Sequence, residues 1–400
     1  MRILMIAPEP FFEPRGTPFS EFHRIRALTA LGHQVDLVTY PFGSDVAMPG
    51  LRVFRALRPP FVHRVKIGPS FAKLPLDALL TLTAFRRAWS GRYDAIHSHE
   101  EGGLIGVVLA ALLRVPHLYD MHSSLPQQLT NFAFSGSTVI RKVFLAIERL
   151  MITRSRVVIV ICPSLEETVR QIDPSAQVVL IENAPGSAEE QATPQQAAAV
   201  RTTFGLGAHT PVVLYTGTFE AYQGFELLFG AMAAVKAARP DARLLIAGGK
   251  PDQVEKAKAQ VRDAGIADVT IFAGERPARE IPAYLLACDA LVSPRSRGTN
   301  TPLKIYQYLR SGKPIVATRL LTHTQVLDDR TAILTDATPA GFAQGMLAAL
   351  TDPARAAAVG QAATHLAETK YSYEAYLERT RRACGALAPG QPLTPVKDMA

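Results

Sequence analysis

The sequence predicts an α/β protein made of two doubly wound, parallel-sheet units. Three observations carry that reading. Residues 2–7 read as a strand, a helix is expected from about residue 21 to 31, and residues 34–39 read as the second strand. Strand, Gly-containing loop, helix and strand make the opening unit of a doubly wound sheet. The same order starts again at Val212-Val213-Leu214-Tyr215-Thr216-Gly217, with a loop and then a helix over 225–238. Between them, residues 186–199 are rich in Ala, Gln and Glu and lose all periodicity, which marks a boundary. The first loop lacks G-x-G-x-x-G, which disfavours a dinucleotide site.

Within the first unit, residues 93–99 end a further strand, and 103–113 read as the helix behind it. Residues 116–122 are the next strand, closing on a His. Strand C-terminal ends line the ligand crevice of such sheets, so His97, His99, Asp120 and His122 are expected to share one cleft. Their spacing fits no tight zinc pattern, and histidines satisfied by structural neighbours are the plainer alternative. Residues 127–152 read as helical, 157–161 as a strand, Pro163-Ser164 as a helix start, and 178–183 as the last strand before the boundary.

In the second unit, 243–249 is a strand followed by a Lys/Glu-rich helix to 264. Residues 269–274, 281–287 and 290–292 read as strand, helix and strand. The stretch 293–318, SPRSRGTNTPLKIYQYLRSGKPIVAT, reads as strand end, polar loop, helix, tight turn and strand. Thr301 is the expected N-cap and Pro302 the first helical residue, where a missing N–H costs nothing. Leu303, Ile305, Tyr306 and Leu309 give the apolar face, and Gly312 ends the helix. Free N–H groups then point out of a polar loop with Lys304 in the first turn, which suits an anion such as a diphosphate. An ordinary strand–loop–helix would carry the same pattern. A last helix is expected from residue 371, and 389–400 reads as a Pro/Gly-rich tail.

Four hundred residues at 48% apolar suffice for two sizeable cores. No apolar run approaches the ~18 residues of a spanning helix. The opening MRILMIAPEP reads as a first strand rather than a signal peptide. Cys162, Cys288 and Cys384 are few and scattered, which fits a reducing cytoplasm and argues against zinc. The net charge of +8 favours anions: nucleotides, phospholipid head groups or nucleic acid. No nucleic-acid motif accompanies it. Residues 52–92 carry nine Lys/Arg against one acid, Asp77, interleaved with Phe61, Phe71 and Trp89. That mixture suits an interfacial membrane-binding surface, with a solvated charged face as the alternative.

Ser311-Gly312-Lys313-Pro314-Ile315-Val316-Ala317 resembles the small-residue-Gly-Lys-Pro turn of family 4 retaining glycosyltransferases. Pro302-Leu303-Lys304-Ile305 resembles a recurring sub-pattern beside it. The resemblance implies the GT-B fold, with two Rossmann-like domains facing each other across a cleft. Here these are 1–188 and 200–370, with a helix at 371–388 crossing back. It implies transfer of a sugar from a UDP- or GDP-linked donor to a lipid-linked or glycan acceptor, with retention, no metal and no cofactor beyond the donor substrate.

In that family two Glu stand eight positions apart around the donor helix; Thr299 and Gln307 occupy the matching positions. The Arg and Lys that neutralise the diphosphate match Thr218 and Gln223, after Gly217. Arg295, Arg297 and Lys304 are the expected compensating cations. Glu275 and Arg276 occupy the base-binding loop, and Asn300, Thr301, Leu303, Lys304 and Gln307 complete the implied donor site. Gly16 matches the glycine whose backbone approaches the diphosphate, with Arg15 beside it. Asp94-Ala95-Ile96-His97-Ser98-His99 resembles the family's Asp-x-x-His-x-His, and His122 a family His near the acceptor and donor sugar. The resemblance thus implies catalytic roles for His122 and Gly16, and acceptor-side roles for Arg15, His97, His99 and Asp120.

Two other readings stay open. One is a nucleotide-sugar-binding protein without transferase activity. The other is a further GT-B enzyme such as a nucleotide-sugar epimerase, with Glu100, Glu101 and Asp120 as its acid–base candidates. The expected setting is cytoplasmic and peripheral on the inner face of the membrane, with an anionic leaflet as partner and no nucleic acid.

Overall fold

A computed structural model describes residues 1–12, 16–62, 73–126, 138–182, 192–388, 390 and 393. The expectations for Arg15, Phe71, the 63–72 part of the basic stretch, the 127–137 start of a helix, the end of the 178–183 strand and most of the tail fall outside these residues. The chain divides into two compact units: Met1–Ala184 with Glu374–Ala400, and Pro185–Tyr373.

The first unit holds a seven-stranded parallel sheet in the order β3-β2-β1-β4-β5-β6-β7. Its strands are β1 (Arg2–Ala7), β2 (Gln34–Thr39), β3 (Leu51–Arg55), β4 (Ala95–His99), β5 (His117–Met121), β6 (Val157–Val160) and β7 (Val178–Leu180). The helices are α1 (Gly16–Ala30), α2 (Leu74–Ser90), α3 (Gly102–Leu113), α4 (Thr138–Arg154) and α5 (Pro163–Ile172). Continuous apolar runs are what a parallel sheet covered on both faces requires. Alternation along β1 sends Leu4 and Ile6 to the core under α2 and α3, and Ile3 and Met5 to the core under α1. The last helix of the chain, Tyr373–Gly385, returns to this unit and packs Tyr376 and Ala383 with Ala27, Leu118 and Ile159.

The second unit holds a six-stranded parallel sheet in the order β10-β9-β8-β11-β12-β13. Its strands are β8 (Val212–Thr216), β9 (Arg243–Ala247), β10 (Thr270–Gly274), β11 (Ala290–Ser293), β12 (Ile315–Thr318) and β13 (Ile333–Thr335). Its helices begin with α6 (Pro194–Thr203), α7 (Phe225–Ala238), α8 (Pro251–Asp263), α9 (Ile281–Ala287) and α10 (Lys304–Arg310). They continue with α11 (Leu321–Thr324), α12 (Pro339–Thr351) and α13 (Pro353–Thr369), and the returning Tyr373–Gly385 helix is α14. Both sheets reverse their winding where the first strand meets the fourth, β1 against β4 and β8 against β11. Ligands bind outside the strand C-terminal ends at such switch points.

Several expectations need correction. The 186–199 boundary is helical from Pro194 onward: Thr193 and Gln196 form a capping box, and Ala197 packs into the second unit's core. One buried residue leaves too weak a pattern to read as periodicity. The helix expected from 21 to 31 starts at Gly16. Thr301 is not an N-cap and Pro302 is not helical; α10 begins at Lys304, after Leu303 in αR backbone without a side-chain cap. Nor is the 52–92 segment a uniformly free basic surface. Arg52 pairs with buried Asp36 at 2.6 Å, Arg55 with Asp45 at 3.1 Å, and Lys73 with Glu101 at 2.8 Å. Arg87 stacks 3.7 Å from the Phe54 ring centroid. No helix among the described residues is long and apolar enough to cross a membrane.

Candidate active site

At the β8/β11 switch point the second sheet carries a cation with nothing to neutralise it. Lys304, in the first turn of α10, is buried, and its Nζ has no hydrogen-bond partner. Its ammonium lies 3.7 Å from the Tyr215 ring centroid. A Cβ added to Gly217, at the end of β8, would stand 3.4 Å from that Nζ. Burial first, and then the Arg295 charge, hold the Lys304 pKa well below the usual lysine range. The Thr301 hydroxyl is also buried without a partner. Unsatisfied buried donors are expensive, so the Lys304 ammonium beside exposed Gly217 at a switch point marks a place where an anion belongs.

The surrounding loop is rigidly built. Arg295 bonds the Asn300 carbonyl and the Thr322 hydroxyl, the latter at 2.8 Å, and stacks on Tyr222. His323 places Nε2 2.8 Å from Ser293 Oγ and Nδ1 2.8 Å from the Thr318 carbonyl. Burial pushes that imidazole down to about 3, so it is neutral at pH 7. The 218–224 loop leans on this one: Ser296 N–H donates to the Tyr222 carbonyl at 3.1 Å. Gly224 has φ +78, and a Cβ there would lie 1.9 Å from the Pro294 carbonyl oxygen, so only glycine fits.

Of the implied donor residues, Gly217 and Lys304 come together, and Asn300 serves the loop through its carbonyl. Thr218 accepts the Tyr215 hydroxyl at its carbonyl, and Gln223 is buried with an unbonded Oε1. Leu303 and Gln307 are half-buried and one helical turn apart. Arg295 is committed inside its loop, Arg297 is exposed, and Glu275 and Arg276 are exposed beyond β10. Arg276 donates to the Ala273 carbonyl at 2.9 Å.

The first unit gathers the four residues expected at its strand ends. Register places His99 of β4 beside Asp120 of β5. Asp120 Oδ2 accepts from Arg24 Nε at 2.8 Å and lies 3.3 Å from His97 Nε2. His122 Nε2 sits 3.2 Å from Asp120 Oδ1 and 3.2 Å from His99 Nδ1. Burial alone would raise the Asp120 pKa, but Arg24, His122 and His99 outweigh it and hold the carboxyl well below its usual range. Burial keeps His97 and His99 below the usual imidazole range, hence neutral at pH 7. An ionised Asp120 among these groups calls for an N–H from His122 Nε2.

The ligand atoms of His97, His99 and Asp120 lie within 4.8 Å of one another. The Arg24 guanidinium, however, already neutralises the carboxylate that would attract a cation and would repel one. Beside the cluster, Glu100 takes a left-handed φ of 47 and accepts from Ser123 Oγ. Glu21 is fully buried, with neither carboxylate oxygen hydrogen-bonded. Burial and then the neighbouring Glu9 and Asp120 charges raise its pKa well above the usual range. Gly16 opens α1, the helix that carries Glu21 and Arg24. Sequence reading missed Arg24, Glu21, Tyr215 and His323. Their only local signal is a polar or aromatic residue on an otherwise buried helix face or strand end.

Two parallel sheets, an anion-seeking lysine at one switch point and a buried histidine–carboxylate cluster at the other define a two-unit enzyme of the nucleotide-binding α/β class. Residues 23–184 match the model of the glycosyl transferase 4-like domain, and residues 210–352 that of the glycosyl transferases group 1. The chain belongs to the group 1, family 4 glycosyltransferases, and its sheets are those of the GT-B fold. It is a glycosyltransferase that takes nucleotide-sugar donors.

The D-inositol 3-phosphate glycosyltransferase of Corynebacterium diphtheriae is 28% identical over 332 residues, 78% of this chain and 75% of its own length. The GDP-mannose-dependent alpha-(1-6)-phosphatidylinositol monomannoside mannosyltransferase of Mycolicibacterium smegmatis is 32% identical over 200 residues, 48% of this chain and 50% of its own. Sucrose-phosphate synthase from Thermosynechococcus elongatus superposes with a TM-score of 0.78 at 22% identity, covering 96% of this chain and 98% of that one.

Proposed function

We propose that this glycosyltransferase moves a sugar from a UDP- or GDP-linked donor to a hydroxyl of a lipid-linked or glycan acceptor, with retention of anomeric configuration and without a metal ion. The observation that carries the proposal is the buried, unpartnered Lys304 ammonium beside Gly217. The donor diphosphate is the leaving group, and its developing charge needs fixed donors in a dry site. Lys304 Nζ and Thr301 Oγ1 supply them. An arriving diphosphate offsets the burial that makes the Lys304 ammonium costly and so favours its charged form. The lysine thereby takes the place of a cation, and the donor itself is the only small molecule required.

Gln307, where the family has Glu, both donates and accepts and takes the donor ribose hydroxyls. Gly217, Thr218, Gln223, Asn300 and Leu303 shape the rest of the donor pocket, with Glu275 and Arg276 on the base side. His122 and the Gly16 backbone serve the transferring sugar. Arg15, His97, His99 and Asp120 belong to the acceptor side. A lipid-linked acceptor is supported by the M. smegmatis relative, whose name gives a phosphatidylinositol monomannoside as its substrate. Such an acceptor is met at a membrane surface.

A second reading, a nucleotide-sugar-binding protein without turnover, is favoured by the uncharged Thr218, Gln223, Thr299 and Gln307. Nuclear magnetic resonance of the product, formed with a chelator present, tests the proposal. The expected result is a glycosidic bond of the donor's own anomeric configuration at undiminished rate. An inverted product, or loss of turnover on chelation that a divalent metal restores, refutes it.

A further inference from the structure

Eleven of the fifteen large apolar side chains left exposed among the described residues lie on α2, α3 and α4. These helices are neighbours on one face of the first sheet, α3 packing against both α2 and α4. On α2, Leu74, Leu82 and Trp89 recur at helical spacing on the side opposite the buried Leu76, Leu80, Ala84 and Ala88; Leu82 is 63% and Trp89 70% exposed. Helix α3, GGLIGVVLAALL, has no charged residue, and it turns Leu104, Val108 and Leu112 outward. On α4, Val139, Val143 and Leu150 form the outward stripe. Scattered exposed apolar residues are normal in a soluble protein; three adjacent helices each with an apolar outer stripe are not.

The charges fully exposed on these helices are all of one sign. Arg86 of α2 and Arg141, Lys142, Arg149 and Arg154 of α4 are exposed. The acids are turned inward: Asp77 accepts the Tyr40 hydroxyl, and Glu148 accepts the Leu125 N–H at 2.7 Å and the Ser124 hydroxyl at 3.2 Å. An apolar face framed only by cations opposes a second copy of itself, because like charges would meet. It complements an anionic bilayer, where Lys and Arg hold the head groups while Trp, Leu and Val enter the acyl boundary.

We infer that the outer face of α2, α3 and α4 is the surface by which this enzyme lies on an anionic lipid bilayer. The inference rests on the lipid-acceptor reading above. It moves the docking surface from the 52–92 segment alone to a three-helix face that includes α3 and α4.

The experiment is co-sedimentation of the full chain with phosphatidylcholine vesicles, with and without phosphatidylserine. Wild type is compared with a Leu82→Glu, Val108→Glu, Val143→Glu variant, one exposed site per helix, and with Leu321→Glu, an exposed leucine of the second unit. Circular dichroism melts verify that each variant is folded. Wild type and Leu321→Glu should bind only the anionic vesicles, with affinity falling as salt rises. The triple variant should bind roughly a hundredfold more weakly, from three adverse charges near the surface. If it binds as wild type does, the face is wrong although the membrane reading survives. If wild type binds neither vesicle at low salt, both fall. If wild type is a dimer by light scattering and the triple variant a monomer with unchanged vesicle binding, the face is a subunit contact and the inference is overturned.

Discussion

Replacing Lys304 with Met separates a ligand-binding lysine from a structural one, because the two roles move stability and affinity in opposite directions. The substitution keeps length and apolar contact while deleting the charge. In the free protein the ammonium is buried without an acceptor and gains only its approach to the Tyr215 ring. A desolvated cation–π contact is worth about 2 kcal/mol, against an effective desolvation penalty of several kcal/mol for the ion. Desolvation wins, so the Met variant should melt at a higher temperature than wild type. The pH dependence has a definite sign. A lysine whose folded pKa lies below its unfolded value leaves the unfolded chain holding the extra proton. Wild-type stability therefore rises as pH climbs from that depressed value toward about 10.4, and the Met variant lacks the rise.

Donor binding should respond in the opposite sense. Loss of one charge-assisted bond, about 1.5–3 kcal/mol, raises the donor Kd by about 10- to 150-fold. Calorimetry with a nucleoside diphosphate, in buffers of different ionisation enthalpy, reads both the affinity and the proton taken up on binding. Unchanged affinity in Lys304→Met would remove the lysine from the donor site. A lower melting temperature with unchanged affinity would make it a packing residue.

Gln307→Leu should raise the donor Kd while leaving the melting temperature within about 1 °C, since the side chain is half-buried; an unaltered Kd would contradict its ribose role. Asp120→Asn strands the buried Arg24 charge, so it should cost about 3–5 kcal/mol in urea melts. It should lower kcat while leaving donor affinity intact, and normal kcat in the folded variant would remove Asp120 from the work of His122. The stability that Asp120 contributes, present above about pH 3.9, should be lost as pH falls through its lower folded pKa, a loss that the Asn variant lacks. His117 and His323 are buried neutral with pKa values pushed down to about 3. Between about pH 6.5 and 3 the unfolded chain holds their protons, so stability should fall with acid by about 1.4 kcal/mol per pH unit for each, and His323→Asn should remove one such increment.

The fold was legible because parallel strands buried on both faces are short continuous apolar runs between loop signals, and β1, β8 and β12 fit that rule. Elements whose burial is partial were not. β3 carries Arg52 and Arg55, of which the first pairs with Asp36, so its residues read as basic surface. α2 hides behind the same charges, and α6 buries only Ala197. In the site, the strand-end rule found His97, His99, Asp120 and His122 because position on a strand fixes where such residues lie. It could not find Arg24, which sits on a helix and reaches a carboxylate 96 positions away. Lys304 was legible as the cation of its loop. That Tyr215 would lie beneath it, and that Arg295 would be spent within the loop, are facts of tertiary packing with no local pattern.

Turnover of a nucleotide sugar by this chain is read by acceptor-dependent release of nucleoside diphosphate. Purified protein is incubated with UDP- and GDP-sugars, with and without a phosphatidylinositol or glycan acceptor, and the free diphosphate is measured. Release should require both a matching donor and an acceptor, and should fall at subsaturating donor in the Lys304→Met variant. Tight donor binding with no release under any acceptor would contradict the transferase account and leave a binding protein. Loss of the donor sugar without any acceptor would point to an epimerase instead.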